Sequence, residues 1–253
     1  MSEPVLDALR RAVIYRVLAG AFAYPTPDQL EEIGRMAAAA VDPCPPVAEA
    51  LRALAHAARD ADAGLLADAY VALFERGTAC PPYEGAYGVP QMSGKAAQLA
   101  DIAGFYEAFE LAPAPARRDV DDHIGAELDF MAALALKEGW AVAAQQAEGL
   151  EIVRSAERAF MDDHLARWAE AFAARLLEIA PGAFYTAAAR LLVAWLSDDC
   201  RRLDIVARPL GGPQPADDGA PFVCPMAAGH GPEADDLGAT ALHFVSHPRQ
   251  PRP

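Results

Sequence analysis

Apolar residues recur along most of this chain at intervals of three and four, the spacing that lines one face of a helix rather than one face of a strand. Leu6, Leu9, Val13 and Val17 keep it from about Pro4 until Pro25 stops the run. Thr26-Pro27-Asp28-Gln29 then reads as an N-cap, a first-turn proline and a capping-box glutamine for a second helix to about Ala40. Past Pro43, Pro45 and Pro46 the pattern resumes over Val47 to Arg59, and a fourth helix from about Gly64 to Glu75 carries Leu65, Leu66, Tyr70, Leu73 and Phe74. The stretch from Gly77 to Gly94 is too rich in glycine and proline for any regular element. Ser93 caps a fifth helix through Glu110, and a loop with Pro113 and Pro115 leads to a helix over Asp121 to Glu138. The pattern is helical again from about Glu148 to Ala180, with a break near Met161-Asp162-Asp163, and from Ala183 to Leu196. No segment alternates apolar and polar residues long enough to make a strand. The predicted fold class is all-α: a single-domain helical bundle over residues 1–204, followed over 205–253 by a Pro/Gly-rich tail, extended or partly disordered.

The helix beginning near Asp121 is the most informative. Ile124, Leu128, Met131 and Ala135 form its apolar stripe, widened by Phe130 and Leu134, and His123 and Glu127, one turn apart, fall inside that arc. A polar pair in an apolar arc must be hydrogen-bonded or it costs stability. Asp122 and Asp129 fall on the opposite, solvent-like side, so Asp122 and His123 are expected at the exposed end and Glu127 deeper, as the anchor that holds His123.

Composition narrows the function more than the fold. A net charge of −15 excludes a nucleic-acid partner, whose phosphates need basic patches, and suits a basic one such as an arginine-bearing peptide. The four cysteines, Cys44, Cys80, Cys200 and Cys224, match neither a zinc ribbon nor a disulfide scaffold, which suits a reduced cytoplasmic protein. Arg10-Arg11 before an apolar run looks superficially like a twin-arginine export signal. Arg16 interrupts that run and Glu3 and Asp7 precede the pair, so an ordinary first helix is the better reading. No run reaches the length of a membrane span, so no stable membrane insertion is expected.

Motifs for catalysis are missing: there is no GxSxG, no phosphate loop, no GxGxxG after a strand and no HExxH, so no catalytic residue and no cofactor is assigned. The alternative is a metal-dependent helical-bundle enzyme using His123 and Glu127, with Asp162, His164 or Glu84 completing the ion's shell. The paired Glu-x-x-His motifs of di-metal bundles are absent, and no metal site is assigned. Cys224, His230, His243 and His247 in the tail have no recognisable ligand spacing. The loop offers more. Pro82-Tyr83-Glu84, with Tyr87 close by and Tyr70, Leu73 and Phe74 just upstream, combines aromatic, apolar and acidic groups suited to a peptide that is both greasy and basic.

Four pieces, in this order, carry a resemblance to a known family: Tyr70-Val71-Ala72-Leu73-Phe74; Pro82-Tyr83-Glu84; Asp122-His123-Ile124-Gly125-Ala126-Glu127-Leu128-Asp129-Phe130-Met131; and Phe160 to Trp168 with His164-Leu165. The chain resembles the TorD/DmsD/NarJ family of redox-enzyme maturation chaperones over about residues 5 to 200. It departs from the family pattern at Gly85, where serine is usual, and at Asp121, where proline is common. The resemblance implies a cytoplasmic, system-specific chaperone and not an enzyme. Its partner would be the immature (apo) catalytic subunit of a molybdopterin oxidoreductase of the dimethyl-sulfoxide-reductase type, bound through a basic, apolar N-terminal or twin-arginine segment. Cofactor insertion would then precede export or assembly. Carried over residue by residue, the peptide-binding set is Tyr70, Leu73, Phe74, Pro82, Tyr83, Glu84, Asp122, His123 and Glu127. The groove is expected between the Gly77–Gly94 loop and the start of the Asp121 helix.

Overall fold

Prolines and side-chain caps set where the first helices begin. The computed structural model describes residues 2–75, 79–88, 94–111, 121–179 and 182–213. Helix α1 (Glu3–Ala21) has Pro4 in its first turn, where a missing N–H costs nothing. Helix α2 (Pro27–Ala40) starts behind Thr26, whose hydroxyl accepts the Gln29 N–H at 3.3 Å. The Gln29 side chain, expected to reach back to the cap, instead donates to the Gly20 carbonyl at 2.8 Å and ties α2 to the end of α1. A single 3-10 turn at Pro45–Val47 leads into α3 (Ala48–Asp60), and Asp62 caps α4 (Ala63–Tyr70) by accepting the Leu65 N–H at 2.9 Å. Then follow α5 (Gly94–Ala108), α6 (Ile124–Ala143), α7 (Ala147–Phe160), α8 (Ala166–Ile179) and α9 (Ala183–Leu203). Ser93, Pro113, Pro115, Ala180 and the tail from 214 on, with its cysteine and histidines, lie outside the described residues.

The all-α expectation holds: among the described residues the only strand-like features are two single-residue bridges, Tyr83 with His123 and Tyr87 with Pro213. Helix α1 lies along α6, α2 along α3, α7 along α6, and α9 packs on both α3 and α8. Tyr15, Phe160, Trp168, Phe172 and Tyr185 are fully buried where these helices meet. Each such side chain contributes on the order of 1.5–3 kcal/mol by leaving water. No helix among the described residues is long and apolar enough to cross a membrane.

Two helices widen into a π turn. Helix α4 runs on into one at Val71–Glu75, and α7 passes into α8 through another at Met161–Leu165, where the sequence suggested a break. Such a turn inserts a residue without ending the rod. Before it the buried positions are Val153, Glu157 and Phe160; after it Trp168, Phe172 and Leu176. On a straight helical wheel these two stripes are rotated by roughly 100°, one residue's worth.

A polar network crosses the bundle between α1, α6, α7 and α9. Arg11 is buried and donates to both Glu138 and Glu157; Tyr15 donates to Asp199; Arg202 pairs with Asp199; and Arg154 donates to Glu138 at 2.7 Å. Burial works against the Arg11 charge, but Glu157, Glu138 and Asp199 outweigh it and hold the guanidinium more firmly charged than usual. Glu138 is likewise pushed up by burial but pulled below its ordinary range by Arg11 and Arg154. Glu157 goes the other way, because its burial outweighs Arg11 and Arg202.

After α9, Asp204 turns the chain in the left-handed conformation (φ 54°) and residues 205–213 cross the helices as an irregular strap. Its tethers are few. The Leu210 N–H donates to the Arg167 carbonyl at 2.8 Å, Arg208 reaches Asp162 at 2.9 Å, and the Gly88 N–H donates to the Gly212 carbonyl at 3.2 Å. Backbone hydrogen bonds contribute about 0.5–1.5 kcal/mol net and exposed ion pairs about 0–1, so the strap is lightly held.

Candidate functional site

The two segments singled out by the sequence, 38 to 41 residues apart in pairs such as Glu84–Asp122 and Pro82–His123, are bonded to one another. The Ile124 N–H donates to the Pro82 carbonyl at 2.9 Å and the Glu84 N–H to the Asp122 carbonyl at 3.0 Å, forming the Tyr83–His123 bridge. The Asp122 carboxylate accepts the Gly85 N–H at 3.0 Å, and the Tyr83 and His123 rings meet edge to face at 5.3 Å. Tyr106 of α5 donates from its hydroxyl to the Asp121 carbonyl at 2.9 Å. The expected groove between loop and helix start is therefore closed by backbone hydrogen bonds along the described residues. Loop and helix start form one surface.

This docking fixes depth differently from the helical wheel. The helix begins at Ile124, not Asp121; His123 is its N-cap, accepting the Gly125 N–H on Nδ1 at 3.0 Å, and Asp122 sits in the turn before it. Asp122 and His123 are each 1% exposed, not the exposed end, because the Pro82–Ala86 segment lies over them. Glu127 is deep, as expected, with no exposure at all. Its anchor is Trp168 of α8, whose indole N–H donates to Oε2 at 3.0 Å, and its Oε1 has no hydrogen-bond partner. An unsatisfied buried carboxylate oxygen is costly.

Gly85 explains itself here by space. A Cβ at that position would stand 3.0 Å from the Asp122 carboxylate and 3.3 Å from the Lys95 side chain. The glycine lets the turn at Glu84–Ala86 close onto Asp122; it tightens the loop, where its flexibility alone would have suggested a looser one.

The π turn at Met161–Leu165 completes the cluster. It aims His164 at Glu84, with Nδ1 3.1 Å from Oε2, while its Nε2 faces Asp101 of α5 at 3.3 Å without hydrogen-bond geometry. Glu84 is 1% exposed. Three carboxylates, Glu84, Asp122 and Glu127, are thus buried together with histidines and no buried lysine or arginine from the described residues. Burial pushes the Glu127 carboxyl well above its usual range and the Glu84 charge pushes it the same way, against the indole hydrogen bond. Burial also raises Asp122, opposed by the Gly85 N–H and Lys95. What faces solvent above this floor is half-buried Tyr83, Gly85, Ala86 and Asp121, with half-buried Asp162 and exposed Asp101 and Asp163 to the side.

Tyr70, Leu73 and Phe74 are placed elsewhere. All three are buried; Tyr70 and Phe74 belong to an edge-to-face series that runs from Tyr24 to Tyr185, and Phe74 also meets Phe172 in a tilted contact at 6.1 Å. The series reaches the acid cluster through Phe172 and Trp168, and Tyr87 packs on Trp168 at 5.2 Å. They form the wall behind the site. No three His, Cys, Asp or Glu side chains among the described residues are grouped to hold a metal ion, so the metal-enzyme alternative finds no ligand shell there. Sequence reasoning passed over Trp168, Tyr106 and Asp101; only the spacing of Trp168 four residues past His164, on the same face, hinted at the first.

Comparison with known proteins bears on the same segments. A family model described as nitrate reductase delta subunit matches residues 42–174, just over half of the chain and all of the pieces that build the cluster. A selenate reductase assembly chaperone protein of Thauera selenatis is 36% identical over 110 residues, 42% of this chain and 55% of that protein. The chaperone protein TorD of Aeromonas salmonicida is 32% identical over 168 residues, 64% of this chain and 72% of its own length. TorD of Vibrio cholerae is 34% identical over 84 residues, 33% of this chain and 37% of that protein. The match thus spans little more than half of the first relative and a smaller part of the last.

Proposed function

Because this chain belongs to the nitrate reductase delta subunit family, which includes the TorD/DmsD/NarJ maturation chaperones, we propose that it is a system-specific chaperone for a molybdopterin oxidoreductase. It binds the immature catalytic subunit in the cytoplasm, through a basic and apolar segment near that subunit's N-terminus, and holds it until the cofactor is inserted. It acts by binding, without catalysis. The observation that carries this reading is the buried carboxylate floor of Glu84, Asp122 and Glu127 beneath Tyr83, with no buried cation from the described residues to neutralise it. Carboxyl groups that burial holds back from ionising give up their protons more readily to a partner that brings the opposite sign. Tyr83 and the loop backbone supply the contact surface, Asp101, Asp121 and Asp162 the rim, and the Tyr70–Phe74 wall keeps the floor rigid.

The test is co-purification from the native host and titration of the wild type with a synthetic peptide of the co-purifying subunit's N-terminus. Tyr83→Ala should weaken that peptide about three- to tenfold, the range of a single aromatic contact, while unfolding free energy moves by no more than about 1 kcal/mol. Equal affinity of Tyr83→Ala and wild type removes the loop from the site. Failure to recover any molybdopterin-enzyme subunit removes the function.

A further inference from the structure

The strap over residues 205–213 lies where the family match has already ended, and nothing in the sequence reading gave it a role. Its route is specific. It leaves α9, places Arg208 against Asp162 at 2.9 Å and Asp163 at 3.7 Å, hands its Leu210 N–H to Arg167, and finishes on the site loop, where Pro213 bridges Tyr87. The π turn that aims His164 at Glu84 on one side thus presents Asp162 and Asp163 to the strap on the other. Tyr87 in turn packs on Trp168, which bonds Glu127. The strap ends on the edge of the acid cluster.

Its chemistry matches that of the segment the site is built to take. Ile205-Val206-Ala207-Arg208-Pro209-Leu210 is apolar with one arginine, extended across an acidic face, and Leu203-Asp204 separate it from Arg201-Arg202. Ile205, Ala207 and Leu210 are half-buried against the core, whereas Val206, Arg208 and Pro209 are exposed. Its closest approach depends on a glycine: Gly88 has φ +85°, and a Cβ there would stand 3.1 Å from the Leu210 carbonyl.

We infer that residues 205–213 occupy the docking face of the client's basic, apolar segment, and that the client displaces them. The strap is an internal stand-in: it reaches Asp162 and Asp163 through Arg208 and bridges Tyr87 through Pro213 in the empty chaperone, and it yields these contacts on binding. Its tethers are few, two backbone hydrogen bonds among half-buried and exposed residues and one surface ion pair, and a longer client segment with more arginines makes the same kinds of contact in greater number. This rests on the proposed chaperone reading.

The experiment uses the full chain and a fluorescent synthetic peptide of two arginines followed by alternating leucine and alanine. Leu210→Pro deletes the N–H that bonds Arg167, and Arg208→Glu turns the ion pair with Asp162 into a repulsion; each should bind the peptide several-fold to about tenfold more tightly than wild type. In the wild type, saturating peptide should speed hydrogen exchange at the Leu210 and Gly88 amides. Peptide binding that leaves both amides protected and both variants no tighter overturns displacement and leaves the chaperone reading intact. Weaker binding by both variants makes the strap part of the client site, and also overturns it. If wild type and variants alike ignore the peptide, the chaperone reading falls and the strap's role with it. Binding confined to the variants supports displacement.

Discussion

Two buried polar clusters lie in this fold, and they are built on opposite terms. Between α1, α6, α7 and α9, Arg11, Arg154 and Arg202 face Glu138, Glu157 and Asp199, so three cations meet three carboxylates. At the loop and the start of α6, Glu84, Asp122 and Glu127 are buried with histidines only, and one oxygen of Glu127 has no partner. The first cluster pairs each carboxylate with an arginine and fastens four helices, although Glu157 Oε2, 3.1 Å from Arg202, lacks hydrogen-bond geometry. Among the described residues the second has only exposed Lys95 near Asp122 and His164 beside Glu84 to offset it, and Glu127 is left for protons or a visiting cation to complete. A matched network is architecture; the unmatched one is where we place the site.

The largest effect should come from unmatching the first cluster. Arg11→Met leaves Glu138 and Glu157 buried without their shared guanidinium and should cost about 3–5 kcal/mol of unfolding free energy in urea titrations. A loss below about 1 kcal/mol would mean that the network is not the fastening described. The second cluster should respond to pH with a definite sign. Glu127 and Asp122 titrate above their unfolded values, so the stability they contribute is fully present below the unfolded carboxylate range, near 4.5 for Glu127 and 3.8 for Asp122, and is lost as pH rises through the raised folded values. Glu138, held low, contributes stability that is present above 4.5 and lost as pH falls through its depressed value. Glu127→Gln keeps an acceptor for Trp168 and should flatten that decline with rising pH. Glu127→Ala leaves the indole N–H unpaired and should cost about 1–3 kcal/mol at any pH. Denaturation curves at several pH values separate the two, and an unchanged slope with rising pH in Glu127→Gln would place the titrating group elsewhere. The smallest effect concerns binding. Because Glu127 and Asp122 attract a cation only when ionised, affinity for an arginine-bearing peptide should rise with pH over the range in which stability falls, and should fall with added salt. Glu84, His164, His123, Asp101, Tyr106 and Lys95 share that environment, so the profile should be broad; a flat profile would mean that the floor does not feel the ligand.

Much of this was legible in the sequence for local reasons. Caps and prolines delimit α1 to α4, and three-and-four spacing marks the rest, because both signals act within a few residues. The loop and helix start were recognised together through a resemblance, and they do meet. Depth was not legible. A helical wheel assigns Asp122 to solvent, but Asp122 precedes the helix and the loop residue Gly85 seals it, a contact 37 residues away in sequence. Arg11 reads as half of a surface pair with Arg10, and only partners 127 and 146 residues away reveal it as the centre of a network. Trp168 closes one piece of the resemblance, but its bond to Glu127, 41 residues away, is hidden for the same reason. Periodicity tells which face is greasy; which polar group lies beneath another segment depends on topology.

The π turn at Met161–Leu165 has a consequence for what one rod of helix can do. Straight α-helix carries a single phase: once Glu157 is turned to Arg11, every later residue's direction follows. The extra residue resets that phase, so the same rod is keyed to the fastening network at one end and turns His164 and Trp168 to the acid floor at the other. The bundle's rigidity and the site's orientation thereby become separately adjustable. Substitutions can retune the floor beyond the turn without asking α7 to let go of Arg11.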